Sequence, residues 1–178
     1  AMGYHRAGFE VVGVGLEPQP RYPFEFHQAD AMTFPLGGFD AIHASPPCQS
    51  YSIALRHLAT PQPMLVDAIR DRLVGSGSVW IIENVPGAPV ASAPTLFGDF
   101  GVTLCGTSFD LEVYRHRLFE TSFPLPSLPC QHRQHAMNPH RAEGRERMYA
   151  RFGRGDPEKV WAAEMGVEWM SRHEAREA

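Results

Sequence analysis

Three short stretches hold residues whose types could do chemistry together. Ser45-Pro46-Pro47-Cys48-Gln49-Ser50-Tyr51-Ser52 carries a thiol, Glu83-Asn84-Val85 a carboxyl group beside an amide, and Arg115-His116-Arg117 two guanidinium groups around an imidazole. A thiol ordinarily titrates at roughly 8.5 and reacts as the thiolate, so a nucleophilic cysteine needs help from loop amides, a helix end or a cationic neighbour. A Pro-Cys dipeptide alone says little, because a lone cysteine is more often a small buried hydrophobe. What gives the three stretches weight is where the surrounding elements would put them.

Phe9 to Leu16 is rich in β-branched residues and bounded by glycine, Phe24 to Gln28 is a second strand pattern, and Phe39 to Ala44 a third that stops at Pro46-Pro47. Between Pro63 and Val74, Met64, Leu65, Ala68, Ile69 and Leu73 recur at helical spacing, and Val79 to Ile82 follows as the strongest strand signal. Strand, helix, strand in that order predicts a crossover. From it we expect an α/β chain with a mostly parallel sheet and helices on both faces. Ligands of such sheets bind beyond the carboxyl ends of the strands, which here would bring Glu17, Asp30, Ser45 to Cys48, Glu83 and Asn84 to one edge. Cys105, in Val102 to Gly106, reads as a core strand residue. Helical patterns return in Glu143 to Phe152, Pro157 to Met165 and Arg172 to Ala178.

Taken in order, the Pro-Cys-Gln loop, the Glu-Asn pair after a strand and the Arg-x-Arg stretch resemble the motifs of DNA cytosine-5 methyltransferases, of the compact phage type. Gly3 to Phe9 is similar to the helix that leaves that family's glycine-rich cofactor loop, and Gln28-Ala29-Asp30 to its third motif. Trp169 to Ala175 is a looser counterpart of a late motif. Relatives usually carry an acidic residue where this chain has Gly15, with Glu17 two positions on. The family's Phe-x-Gly-x-Gly loop would fall before Ala1 and its closing motif after Ala178. The resemblance therefore implies a Rossmann-like S-adenosylmethionine-dependent fold, with an N-terminally incomplete catalytic core over 1–125, a recognition segment over 126–168, and a return to the core over 169–178.

The resemblance also implies roles. Cys48 would add to the ring carbon beside carbon 5 of cytosine. Glu83 would stabilise the ring at nitrogen 3, a task that suits a carboxyl group set after a very apolar strand. Arg117 would reach the cytosine carbonyl oxygen, and Arg115 would hold the loop or the thiolate's surroundings. Glu17, Asp30 and Pro46 would contact S-adenosylmethionine; Gln49, Ser52 and Asn84 would lie at the substrate, Asn84 orienting the loop. The target base must leave the duplex stack, at a cost of about a few kcal/mol. Although the net charge is −4, the segment Gln131 to Arg154 holds six arginines against Glu143 and Glu146, a local +4. Phosphate contacts are expected there, Arg133 and Arg145 among them, with a short target site in double-stranded DNA.

The same residues have plainer uses. Glu83, Glu17 and Asp30 could each cap a turn after a strand, Gly3 and Gly8 could shape a helix end, and arginines alternating on an edge strand discourage aggregation. Cys130, His132, His135 and His140 have zinc-binding side chains, but their spacing matches no common zinc module, so no metal is expected. Three widely spaced cysteines do not suggest a disulfide framework, and no apolar run suits a membrane span. The expectation is a monomeric cytoplasmic protein of a bacterial or phage-infected cell, in a phage or restriction-modification setting. Its rival is a catalytically inactive DNA-binding or regulatory relative, and RNA methylation would use the same residues.

Overall fold

The computed structural model describes residues 1–48, 64–86, 88, 101–111 and 115–131. They fall into two compact units. One comprises residues 1–34 with Leu111, and the other the described residues between 35 and 110 together with 115–131.

The first unit holds helix α1 (Met2–Arg6) and strands β1 (Val12–Gly15) and β2 (Glu25–Gln28), paired in parallel with Val12 opposite Glu25 and Gly15 opposite Gln28. Its packing is aromatic. Tyr22 stacks edge-on against Phe24 and leans on Phe26, while the His5 ring lies 4.9 Å from that of Phe24. Gly13 makes room for this cluster, since a Cβ there would stand 2.7 Å from the Tyr22 ring.

The second unit is built on a four-stranded sheet in the order β3-β4-β6-β5, with β3 (Ala41–Ala44), β4 (Val79–Asn84), β5 (Gly101–Cys105) and β6 (His116–Thr121). Helix α2 (Val66–Ser76) connects β3 to β4, which pair in parallel. The expected strand–helix–strand crossover is therefore present. Val66, Ile69 and Leu73 form the buried stripe of α2, and Trp80 and Ile82 are buried on β4. Each such side chain contributes roughly 1.5–3 kcal/mol, several times the worth of an exposed ion pair. Gly77 ends α2 with φ 73°, a left-handed conformation that glycine adopts without a Cβ penalty.

The expectation of a mostly parallel, Rossmann-like sheet covered by helices on both faces is not met. Strand β6 runs antiparallel to both β4 and β5, and α1 and α2 are the α-helices among the described residues. The cause is chain length. Residues 106–115 separate β5 from β6, fewer than the dozen or more that a parallel return requires, whereas α2 occupies the longer connection from β3 to β4. The architecture is mixed α/β with two small sheets. No helix among the described residues is long and apolar enough to cross a membrane. The three expected C-terminal helices, the basic segment from 132 onward and the late motif lie outside the described residues.

Candidate active site

Strand β4 ends in two residues with different duties. Side chains alternate across a sheet, and along β4 the buried positions are Trp80, Ile82 and Asn84, with Glu83 half-buried on the other face. Asn84 is 1% exposed, and its amide nitrogen donates to the Pro46 carbonyl oxygen at 2.9 Å while its oxygen accepts from the Val85 amide. Both sides of the amide are thus engaged. This bond ties the loop after β3 to the end of β4, with Pro46 buried and Cys48 half-buried two residues later.

Glu83 faces β6. In the antiparallel register Glu83 lies opposite Phe119, so Arg117 is its diagonal neighbour on the same face. Arg117 Nε lies 2.7 Å from Glu83 Oε1, with both side chains about a fifth to a quarter exposed, and Arg117 also donates to the His116 carbonyl. Arg115 completes the group. Burial, and after it the positive charge of Arg117, hold its guanidinium below the ordinary arginine value, while Glu83 and the thiolate form of Cys48 pull the other way. Arg117, Glu83 and Cys48 are therefore all within electrostatic reach of Arg115, and the four groups belong to the second unit. Strand β6 is interior to its sheet, so the arginines do not guard an exposed edge.

Chemically, the group offers a thiol near fixed positive charge and a carboxylate clamped by a guanidinium. A guanidinium presents donors suited to a carbonyl or carboxylate oxygen.

The expected cofactor contacts divide between the units. Glu17 and Asp30 are exposed in the first unit, each just beyond the carboxyl end of a parallel strand, where hydroxyl and amino donors of a nucleoside are commonly received. Asp30 Oδ1 accepts from the Met32 amide at 2.8 Å, so the plainer use in turn-making is present. Pro46 belongs to the second unit. Two carboxylates at adjacent strand ends suit the donor groups of S-adenosylmethionine, and neither is consumed by an ion pair among the described residues. Gln49, Ser52, Arg133 and Arg145, expected at the substrate, lie outside the described residues, as do His132, His135 and His140.

One grouping was not foreseen from spacing. Cys105, His116 and Cys130 bring their ligand atoms within 4.8 Å of one another. The signal available in the sequence was weak, because the three are far apart along the chain and meet only through the β5–β6 pairing. In comparison with known protein families, curated proteins and solved structures, the chain finds no match.

Proposed function

We propose that the protein methylates carbon 5 of cytosine in double-stranded DNA, with Cys48 as the covalent nucleophile. The observation that carries this reading is the placement of Cys48. The Asn84–Pro46 bond holds its loop at the strand end that bears Glu83, with Arg117 on that carboxylate and Arg115 within reach of the thiol.

In this reading Cys48 sulfur bonds to carbon 6 of the flipped base, and Glu83 meets nitrogen 3 as electron density moves into the ring. Arg117 donates to the base's carbonyl oxygen. Arg115 holds the surroundings of the Cys48 sulfur. S-adenosylmethionine supplies the methyl group when bound, and Glu17 and Asp30, at the strand ends of the first unit, would receive its hydroxyl and amino groups. Transfer of the carbon 5 proton to solvent water then lets its bonding pair re-form the carbon 5–carbon 6 double bond, as Cys48 leaves with the sulfur–carbon pair. A trio of thiol, carboxylate and paired guanidinium suits this chemistry, and nothing in simple duplex binding calls for it.

Incubation with labelled S-adenosylmethionine and duplex DNA containing 5-fluorocytosine tests the proposal. The fluorine cannot leave as the proton does, so the enzyme should be trapped on the DNA through Cys48, and Cys48→Ser should form no adduct while retaining duplex binding. Absence of an adduct with duplex binding intact would replace this reading with the regulatory one.

A further inference from the structure

We infer that Cys105, His116 and Cys130 form a binding site for one thiophilic divalent cation, zinc above all. Cys105 ends β5 and His116 begins β6, and the two are directly paired across the antiparallel ladder. Cys130 reaches the same place from the segment after β6, its Sγ 3.2 Å from His116 Nε2. All three ligand atoms lie within 4.8 Å of one another. Tetrahedral zinc, with bonds of about 2.3 Å to sulfur and about 2.0 Å to nitrogen, needs such donors about 3.5 to 3.8 Å apart, so small side-chain rotations suffice. Two thiolates and an imidazole are the donor set that selects zinc over calcium or magnesium.

The surroundings are built to hold the donors in place. Thr107 donates its hydroxyl to Cys105 Sγ at 3.3 Å, and the Gln131 amide donates to that same hydroxyl oxygen. Ser108 donates to the Pro129 carbonyl at 3.1 Å. The residues on either side of Cys130 are thereby fastened to the turn that follows Cys105, which fixes the thiol before any ion arrives. Outer contacts of this kind orient metal ligands and commonly change affinity about 10- to 100-fold. Neither Cys105 nor Cys130 is tied up in a disulfide. Binding would release one proton from each, and three protein ligands leave the fourth position of the ion open to water.

The ion would join β5, β6 and the segment after β6 at one point. His116 stands between Arg115 and Arg117, and side chains alternate along a strand, so the ion would sit on the opposite face of the sheet from the arginine pair. It would be structural toward that pair and separate from Cys48.

The test is a cobalt titration of the full chain, reduced and metal-free, under anaerobic conditions. We expect one equivalent to bind, with thiolate-to-cobalt charge-transfer absorption and the intense visible bands of tetrahedral cobalt, and zinc to bleach both. Cys130→Ser should halve the charge-transfer intensity and weaken binding by about a hundredfold or more. His116→Ala should weaken binding while keeping both thiolate contributions, and Cys48→Ser should change nothing in the spectrum. Cys105 is buried and its replacement could unfold the chain, so the variants at 116 and 130 carry the test. Absence of charge-transfer absorption in the folded, reduced chain would overturn the site. So would a spectrum unchanged by Cys130→Ser or lost in Cys48→Ser, or a Cys105–Cys130 disulfide as the form that excludes cobalt even after reductant is added.

Discussion

Asn84 donates its side-chain amide to the Pro46 carbonyl oxygen at 2.9 Å, and through that bond the end of β4 holds the loop that carries Cys48. Asn84→Ala removes the donor in a buried setting, where loss of a partner costs about 1–3 kcal/mol. We expect a lower urea midpoint at unchanged slope, with altered reactivity of Cys48 toward a disulfide reagent. Asn84→Asp should be worse, since it sets a carboxylate oxygen against the carbonyl it must face. Equal Cys48 reactivity in the wild type and both variants would show that the loop is held by other contacts.

Glu83 and Arg117 form a 2.7 Å ion pair whose members both have work in the proposed reaction. Glu83→Gln keeps the shape and the oxygen acceptor but cannot pass a proton. Acid–base assistance is typically worth about 10²- to 10⁴-fold, so kcat should fall by about a hundredfold or more, with duplex binding retained. Arg117→Lys keeps the charge and loses the planar fork, and should also fall in kcat. Single-turnover methylation of unmodified duplex separates this from binding. A change in KM alone for Glu83→Gln would remove Glu83 from the chemical step.

Arg70 of α2 grips Glu120 of β6 with two bonds, Nε to Oε1 at 2.7 Å and the terminal nitrogen to Oε2 at 2.8 Å. Glu120 is 4% exposed. Removing one member of a buried pair strands the other and typically costs about 3–5 kcal/mol, whereas replacing both with apolar residues of similar volume is often neutral. Arg70→Met should therefore destabilise strongly in chemical denaturation, and the double variant Arg70→Met with Glu120→Met should recover most of the loss. The weaker Arg70–Asp67 contact, one turn apart on the helix with Asp67 largely in solvent, should be nearly silent when Asp67 is replaced by alanine.

That pair also shows where sequence reasoning runs out. Local patterning located the strands that became β1 to β4 and the helix that became α2 to within a few residues, because period and punctuation are written in the nearest neighbours. It put Glu17, Asp30, Cys48 and Glu83 at strand ends for the same reason. Arg70, by contrast, lies outside the apolar periodicity of its helix, and local spacing names no partner for it, since that partner is 50 positions away. The sheet was misjudged by extension from one crossover: β3 and β4 are parallel as expected, but the short stretch before β6 forces an antiparallel return. Cys105 and His116 met through that unforeseen return.

Gly13 and Tyr22 give the last test, confined to the first unit. A Cβ at Gly13 would fall 2.7 Å from two Tyr22 ring atoms and 2.9 Å from Phe26, so Gly13→Ala must displace a ring, at a typical cost of about 1–3 kcal/mol. Gly15→Ala meets only Phe26, at 3.4 Å, and should cost much less. Burial also pushes the Tyr22 phenol above its ordinary value. A phenol whose folded value is raised adds stability that is fully present below its unfolded value of about 10 and is lost as pH rises through the folded value. Tyr22→Phe, which cannot ionise, should therefore lose less stability than the wild type over that alkaline window, measured by urea denaturation at a series of pH values. If both proteins lose stability in parallel there, Tyr22 ionises as readily folded as unfolded, and the ring packs less tightly on Gly13 than the 2.7 Å approach implies.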